Sequence, residues 1–262
     1  MNRRQFLVAA TPMVAAPFVI TRRARAQAAS QSPFPPAGAD GWVSLLNFKN
    51  LDGLYTFLQK SGKGAAEAKG MVTFEDGMLH IMGNLVTDEP AEAGYIATNQ
   101  EFENYRLRAE YKFGMKRFRP RLEAKRDNGL LYHLVGQDKV WPTCVECQVQ
   151  EGDVGDYFLL GDARGKDGGP NGQVYAGHDN RKLRDRGGDF ENRDDWNVVE
   201  VIAQGDKSTH LVNGVTVNTL SNLQQPDPQN PGQFIPLTRG KVAIELEYAE
   251  IWYRKFEIKS LA

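Results

Sequence analysis

Two dipeptides, Asp76-Gly77 and Asn213-Gly214, constrain the fold of this chain more than any other feature, because each sits between runs of β-rich residues. Asp-Gly and Asn-Gly reach positive φ at both central turn positions at little steric cost, so they close two-residue β-hairpins. The runs around them, and others like them, predict short strands at Met71 to Phe74, Met78 to Met82, Tyr95 to Thr98, Tyr105 to Phe113, Leu130 to Val135 and Val145 to Val149. More are expected at Val198 to Ala203, Thr209 to Val212, Val215 to Thr219, Val242 to Glu247 and Ile251 to Ile258. No long stretch carries the apolar period of an amphipathic helix. So many short antiparallel strands predict an all-β fold, a two-sheet sandwich or jelly roll rather than a parallel sheet. Gly161 to Gly172 and Asp179 to Asp195 are polar and Gly-rich and read as surface loops.

The N-terminus has a different character. Arg3-Arg4 precede Phe6-Leu7 and an apolar run from Val8 to Ile20, which ends near Ala24-Arg25-Ala26, so residues 1–26 read as an export signal. Pro12 and Pro17 interrupt the run, which is too short for a comfortable membrane span. The paired arginines resemble a twin-arginine signal, an address rather than an anchor. A periplasmic or secreted mature protein without a stable membrane span is therefore expected. Residues 27–40, rich in Ser, Pro and Ala, read as a flexible linker, and 41–262 as one domain. Losing residues 1–26 removes five arginines and no acid, which takes the formal charge from −1 to −6 and argues against a nucleic-acid partner.

Within Cys144 to Gln150, strand alternation sets Cys144, Glu146, Gln148 and Gln150 on one face and Val145, Cys147 and Val149 on the other. The second set suits a core and the first does not, although an ordinary solvent-facing strand gives the same pattern. Cys144 and Cys147 are the only cysteines, and their positions on opposite faces argue against a disulfide between them. His133 is the one polar side chain of Leu130 to Val135, a strand expected beside the carboxylate strand because consecutive strands tend to pair. A buried, hydrogen-bonded histidine is the plainer reading of such a residue. Glu110 and Lys112 lie on the charged face of Tyr105 to Phe113, which either joins the same surface or faces water.

Several blocks, taken in order, resemble the 3-keto-disaccharide hydrolase domain family. They are Leu45 to Gly53, Phe102 to Lys112, Asp127 to His133, Glu146 to Asp153, Asp195 to Val201, Val212-Asn213-Gly214 and Tyr253 to Ile258. Within this pattern Glu245 stands where glutamine is usual, and His133 where many relatives have arginine. The resemblance implies a concanavalin A-like jelly-roll sandwich of two antiparallel sheets, and an activity on glycosides oxidised to a ketone at C3. It also implies a partner oxidoreductase that makes the keto sugar.

A C3 ketone acidifies the C2 hydrogen, so a base can form an enolate that expels the C1 substituent, after which water adds back. Glu146 and His133 are the candidate acid and base. Lys112, Lys125 or Gln148, or a divalent cation, are candidates for holding the enolate oxygen. His133, Glu146, Glu151 and Asp153 form the candidate cation-binding set. Glu110, Glu151, Asp153 and Trp196 complete the candidate substrate contacts. Two alternatives remain open. Glu146-x-Gln148-x-x-Glu151 resembles the strand of laminarinase-like retaining glycosidases, and the sandwich also suits a non-catalytic carbohydrate-binding module, with Tyr132, Trp141, Tyr157 and Trp196 as stacking aromatics. The export reading predicts that replacing both Arg3 and Arg4 with lysine leaves the precursor inside the cell. Fractionation and immunoblotting check this, and normal export of the variant would contradict it.

Overall fold

The computed structural model describes residues 32–87, 90–168, 173–176 and 189–261. The expected export signal, the first part of the expected linker and much of the 179–195 loop lie outside the described residues. Both hairpin signals fold as their chemistry dictates. Asp76 and Gly77 take φ of 50° and 71° between Val72–Glu75 and Met78–Ile81, and Asn213 and Gly214 take 47° and 82° between Lys207–Val212 and Val215–Pro226.

Alternating strands must bury one face each, and two antiparallel sheets do so against one another. An eleven-stranded sheet runs Val174–Ala176, Arg164–Asp167, Val215–Pro226, Lys207–Val212, Asn197–Gln204, Tyr105–Arg117, Ala249–Ser260, Met78–Ile81, Val72–Glu75, with Val43–Ser44 and Phe234–Pro236 paired beside this path. An eight-stranded sheet runs Tyr157–Leu160, Thr143–Gln148, Gly129–Val135, Arg239–Leu246, Gly94–Thr98, Leu54–Leu58, Gly62–Lys63, with Phe102–Glu103 on Arg239–Leu246. The described helix is a single turn, Ala65–Ala68, and no described helix is long and apolar enough to cross a membrane. The fold is a jelly-roll sandwich of concanavalin A type. Arg164–Asp167 is a strand where a loop was expected, since its pairing with Val215–Pro226 outweighs its polar composition. Phe34 is buried against the core, so the fold takes in residues ahead of Gly41.

Leu107, Ala109 and Tyr111 of the larger sheet meet Leu130, Tyr132, Val145, Cys147 and Ile244 of the smaller one in the inter-sheet core. Cys144 faces the opposite way from Cys147, and both are buried free thiols. One irregularity changes the reading of the strand Gly129–Val135. Its register slips against both neighbours near His133, which adopts φ of 52°, and Tyr132 and His133 both turn into the core. A β-bulge of this kind places two successive side chains on one face.

Tyr132 links the sheets. Its fully buried hydroxyl donates to Nε2 of His210 at 2.9 Å and accepts from Ser208 at 2.6 Å, while Nδ1 of His210 donates to the Gly155 carbonyl at 3.1 Å. Burial pushes the His210 imidazole down to about 4, so it stays neutral and can accept this bond. Tyr132→Phe leaves the buried Nε2 without its donor, a cost of about 1–3 kcal/mol. A lowered urea midpoint with an unchanged m-value is expected, and an unaltered midpoint would remove the linking role.

Candidate active site

The smaller sheet presents its second face away from the core, and a cavity of about 260 Å³ opens there. That is just below the usual range for ligand pockets, about 300–1,000 Å³. Glu146 and Gln148 point into it because Val145, Cys147 and Val149 are committed to the core. The neighbouring strand Arg239–Leu246 repeats the rule. Val242, Ile244 and Leu246 face the core, which sends Glu245 to the pocket, and Glu247 follows at the strand's end. Between these two strands lies Gly129, opposite Gln148 in register. A Cβ at Gly129 would stand 2.5 Å from Oε2 of Glu245 and 3.0 Å from Oε1 of Glu146. The missing side chain is what lets both carboxyl groups meet over the central strand.

Asp127 and Arg121 close the polar end. Nη1 of Arg121 reaches Oδ2 of Asp127 at 2.6 Å and Oε1 of Glu247 at 2.9 Å, and the Gln150 amide donates to Asp127 at 2.6 Å. Asn128 fixes the strand edges by donating to the Glu245 carbonyl at 2.7 Å while accepting from the Tyr253 hydroxyl at 2.5 Å. Trp141, Phe158 and Leu160 form the apolar wall.

One arginine among this many carboxyl groups leaves too little positive charge to ionise them all. Glu245 is 1 % exposed, and its carboxyl is pushed well above the usual range, first by desolvation and then by the charges of Glu146, Glu247 and Asp127. Glu247 rises to about 8, by burial first and then by Asp127, against the pull of Arg121. Burial also raises Asp127, with Arg121 opposing. Both carboxyl oxygens of Glu245 are buried without a hydrogen-bond partner among the described residues, which is the setting that favours the protonated form. A neutral carboxylic acid therefore stands beside Glu146, an arrangement suited to moving protons to and from a substrate.

Of the residues singled out in the sequence, the structure places Glu146, Gln148 and Trp141 in this pocket. His133 is not there. The bulge buries it completely between the sheets, with Nδ1 3.3 Å from the Tyr105 hydroxyl, and burial lowers its imidazole to about 4. Glu110, Lys112 and Trp196 lie on the outer face of the larger sheet, with the whole core between them and Glu146. Alternation on Tyr105–Arg117 commits Leu107, Ala109 and Tyr111 inward and Glu110 outward, where Arg254 holds its carboxyl below the usual range. Lys112 and Arg254 lie over the Trp196 ring at 5.4 and 4.2 Å.

Lys125 pairs with Asp153 at 2.7 Å, and Glu151 with Arg126 at 3.0 Å, in a separate depression. The strand ends at Gln148 and turns, so the face shared by Glu146 and Gln148 does not extend to Glu151. Among the described residues no three His, Cys, Asp or Glu side chains are grouped to hold a metal, and His133, Glu146 and Glu151 stand apart. Arg121, Asp127, Glu245 and Glu247 were not among the candidate site residues of the sequence. The alternation Ala243, Glu245, Glu247 was the available signal for two of them.

The fold and the pocket define an all-β sandwich with an acid-lined, aromatic-walled recess on its smaller sheet. The chain belongs to the 3-keto-alpha-glucoside-1,2-lyase-like domain family, which matches residues 41–259. Two crystal structures of candidate glycosyl hydrolases from Parabacteroides distasonis ATCC 8503 share its fold. One is 17 % identical with a TM-score of 0.54, over 86 % of this chain and 95 % of that one; the other is 18 % identical with a TM-score of 0.51, over 84 % and 99 %. Among curated proteins none matches the sequence.

The raised carboxyl groups carry a stability signature. Their folded-state pKa values exceed the unfolded one, so their contribution is fully present below pH 4.5 and is lost as pH rises through about 8. Glu245→Gln keeps the shape of the side chain but removes one buried ionisation. A shallower fall in melting temperature between pH 5 and 8.5 is expected, and a slope equal to that of the parent would contradict the buried acid pair.

Proposed function

We propose that this protein cleaves glycosides carrying a ketone at C3, with Glu146 and Glu245 as its proton-transfer pair. The single observation that carries the reading is the meeting of the buried Glu245 carboxyl with Glu146 over Gly129, in a domain of this family. Glu146 removes the C2 proton, which the adjacent ketone has acidified, and the electrons move onto the ketone oxygen as an enolate. The enolate collapses to form the C1–C2 double bond, the C1–O bond breaks, and Glu245 protonates the departing oxygen. Water then adds its hydroxyl to C1 and a proton to C2, completing net hydrolysis.

The Gln148 side-chain oxygen accepts from Val149 N–H at 2.8 Å, so its amide N–H groups remain to donate to the enolate oxygen. His133 serves the core rather than the proton transfer in this scheme. An enzyme that oxidises the sugar at C3 must act upstream, and export by the Arg3-Arg4 signal would put the reaction outside the cytoplasm. Assays with and without chelator decide whether a divalent cation assists.

The closeness of Glu146 and Glu245 also suits retaining hydrolysis, in which two carboxyl groups about 5 Å apart serve as nucleophile and acid. The two reactions differ at C2. Elimination and rehydration in heavy water place deuterium there, whereas retaining hydrolysis leaves the C2 hydrogen and traps a glycosyl ester on a glutamate. Glu146→Gln and Glu245→Gln are each expected to lower turnover by about 10²- to 10⁴-fold with folding intact. An untouched C2 hydrogen, or near-parental rates in both variants, would overturn the proposal. Binding of the sugar without turnover would instead indicate a binding module.

A further inference from the structure

Most of the face that carries the pocket is not open. Tyr95, Ala97, Leu131, Leu134 and Ala243 lie on the side of the smaller sheet opposite the core, yet each is at most 2 % exposed. The connection between Gly129–Val135 and Thr143–Gln148, residues 136–142, folds back over them. Its Val140 and Trp141 pack on this apolar patch, and Trp141 continues into the wall of the pocket beside Glu146.

This strap is pinned at its middle. Oδ1 of Asp138 accepts from the Tyr55 hydroxyl at 2.7 Å and from the Tyr95 hydroxyl at 2.8 Å, on two neighbouring strands of the sheet beneath. The Tyr55 oxygen in turn accepts from Nζ of Lys241 at 2.9 Å, and Nζ of Lys63 stands 3.9 Å from its ring centre. Phe57 stacks on Tyr95 with centroids 5.6 Å apart. Asp138 thus ties the strap to two strands at once, and Trp141 is three residues away on the same short segment. Holding Asp138 holds the indole.

A sheet of this width could carry a long groove for a polymer, but the strap fills it and leaves a recess of about 260 Å³. We propose that strap 136–142, held through Asp138, blinds one end of the pocket and restricts this protein to glycosides whose oxidised ring is chain-terminal. The inference rests on the reaction proposed above. Asp138 is a positioning residue in it, acting through Trp141, and touches no reacting atom.

The test compares two ketones: a disaccharide oxidised at C3 of its terminal ring, and the trisaccharide that bears one further glucose on O4 of that oxidised ring. The parent protein is expected to favour the disaccharide by about a hundredfold or more in kcat/KM, since the added sugar meets the strap. Asp138→Ala frees the strap, and the preference should shrink to below about tenfold, chiefly through KM for the trisaccharide, while amide exchange across 136–142 accelerates. Asp138→Asn keeps the Oδ1 acceptor and should restore the preference. A purely structural role would lower both substrates alike and leave their ratio unchanged, and that result overturns the proposal, as does a parent protein that accepts both equally.

If Asp138→Ala does not fold, Tyr55→Phe removes one of the two anchoring donors and is read in the same way. If the parent turns over neither ketone, the reaction proposed above fails on its own, and calorimetry with the same two compounds decides the pocket. Tighter binding of the terminal ketone upholds the strap, while equal binding or none overturns it.

Discussion

The inter-sheet core sets the position of every pocket side chain, because in a strand the residue that faces the core dictates where its neighbours point. Val145 and Cys147 go inward, and Glu146 is turned out between them; Ile244 and Leu246 do the same for Glu245. Burying one leucine-sized side chain contributes roughly 1.5–3 kcal/mol, and the core holds dozens of apolar residues, so the geometry of the acids is dictated by groups that never touch substrate. A slip of one residue in either strand would exchange the two faces and abolish the site.

This enforced placement has an electrostatic consequence. Glu245 cannot retreat to water without pulling Ile244 and Leu246 from the core, so it adjusts by keeping its proton. Burial of an unpaired carboxylate costs several kcal/mol, and neutralisation avoids most of that cost. Arg121 balances part of the remaining charge from the rim, through Asp127 and Glu247. Gly129 supplies the space.

The two faces of the sandwich have separate fates. The outer face of the larger sheet holds Glu110, Lys112, Trp196 and Arg254 in mutual ion pairs and cation–aromatic contacts. These residue types suggest a sugar site in the sequence, and here they mostly satisfy one another. The outer face of the smaller sheet is half roofed by the strap, whose aspartate is anchored by tyrosines more than forty positions away in the chain. Nothing local in Gly136 to Pro142 announces that role.

The sequence by itself determined the two-sheet antiparallel sandwich, because hairpin turns, strand alternation and the lack of helical periodicity are local and each suffices within a few residues. It also determined which face Glu146 and Gln148 take, since Val145, Cys147 and Val149 have no alternative to the core. Only the tertiary structure decided which strands lie side by side, and so which acids meet. Glu146 and Glu245 lie on two strands, and Asp127 and Glu247 lie just outside the ends of Gly129–Val135 and Arg239–Leu246, up to 120 positions apart; pairing order at that range is set by the packing of whole sheets. His133 shows the same limit within a single strand. Alternation sends it to the pocket, but a bulge, created by the register demanded by both neighbouring strands, turns it into the core beside Tyr105.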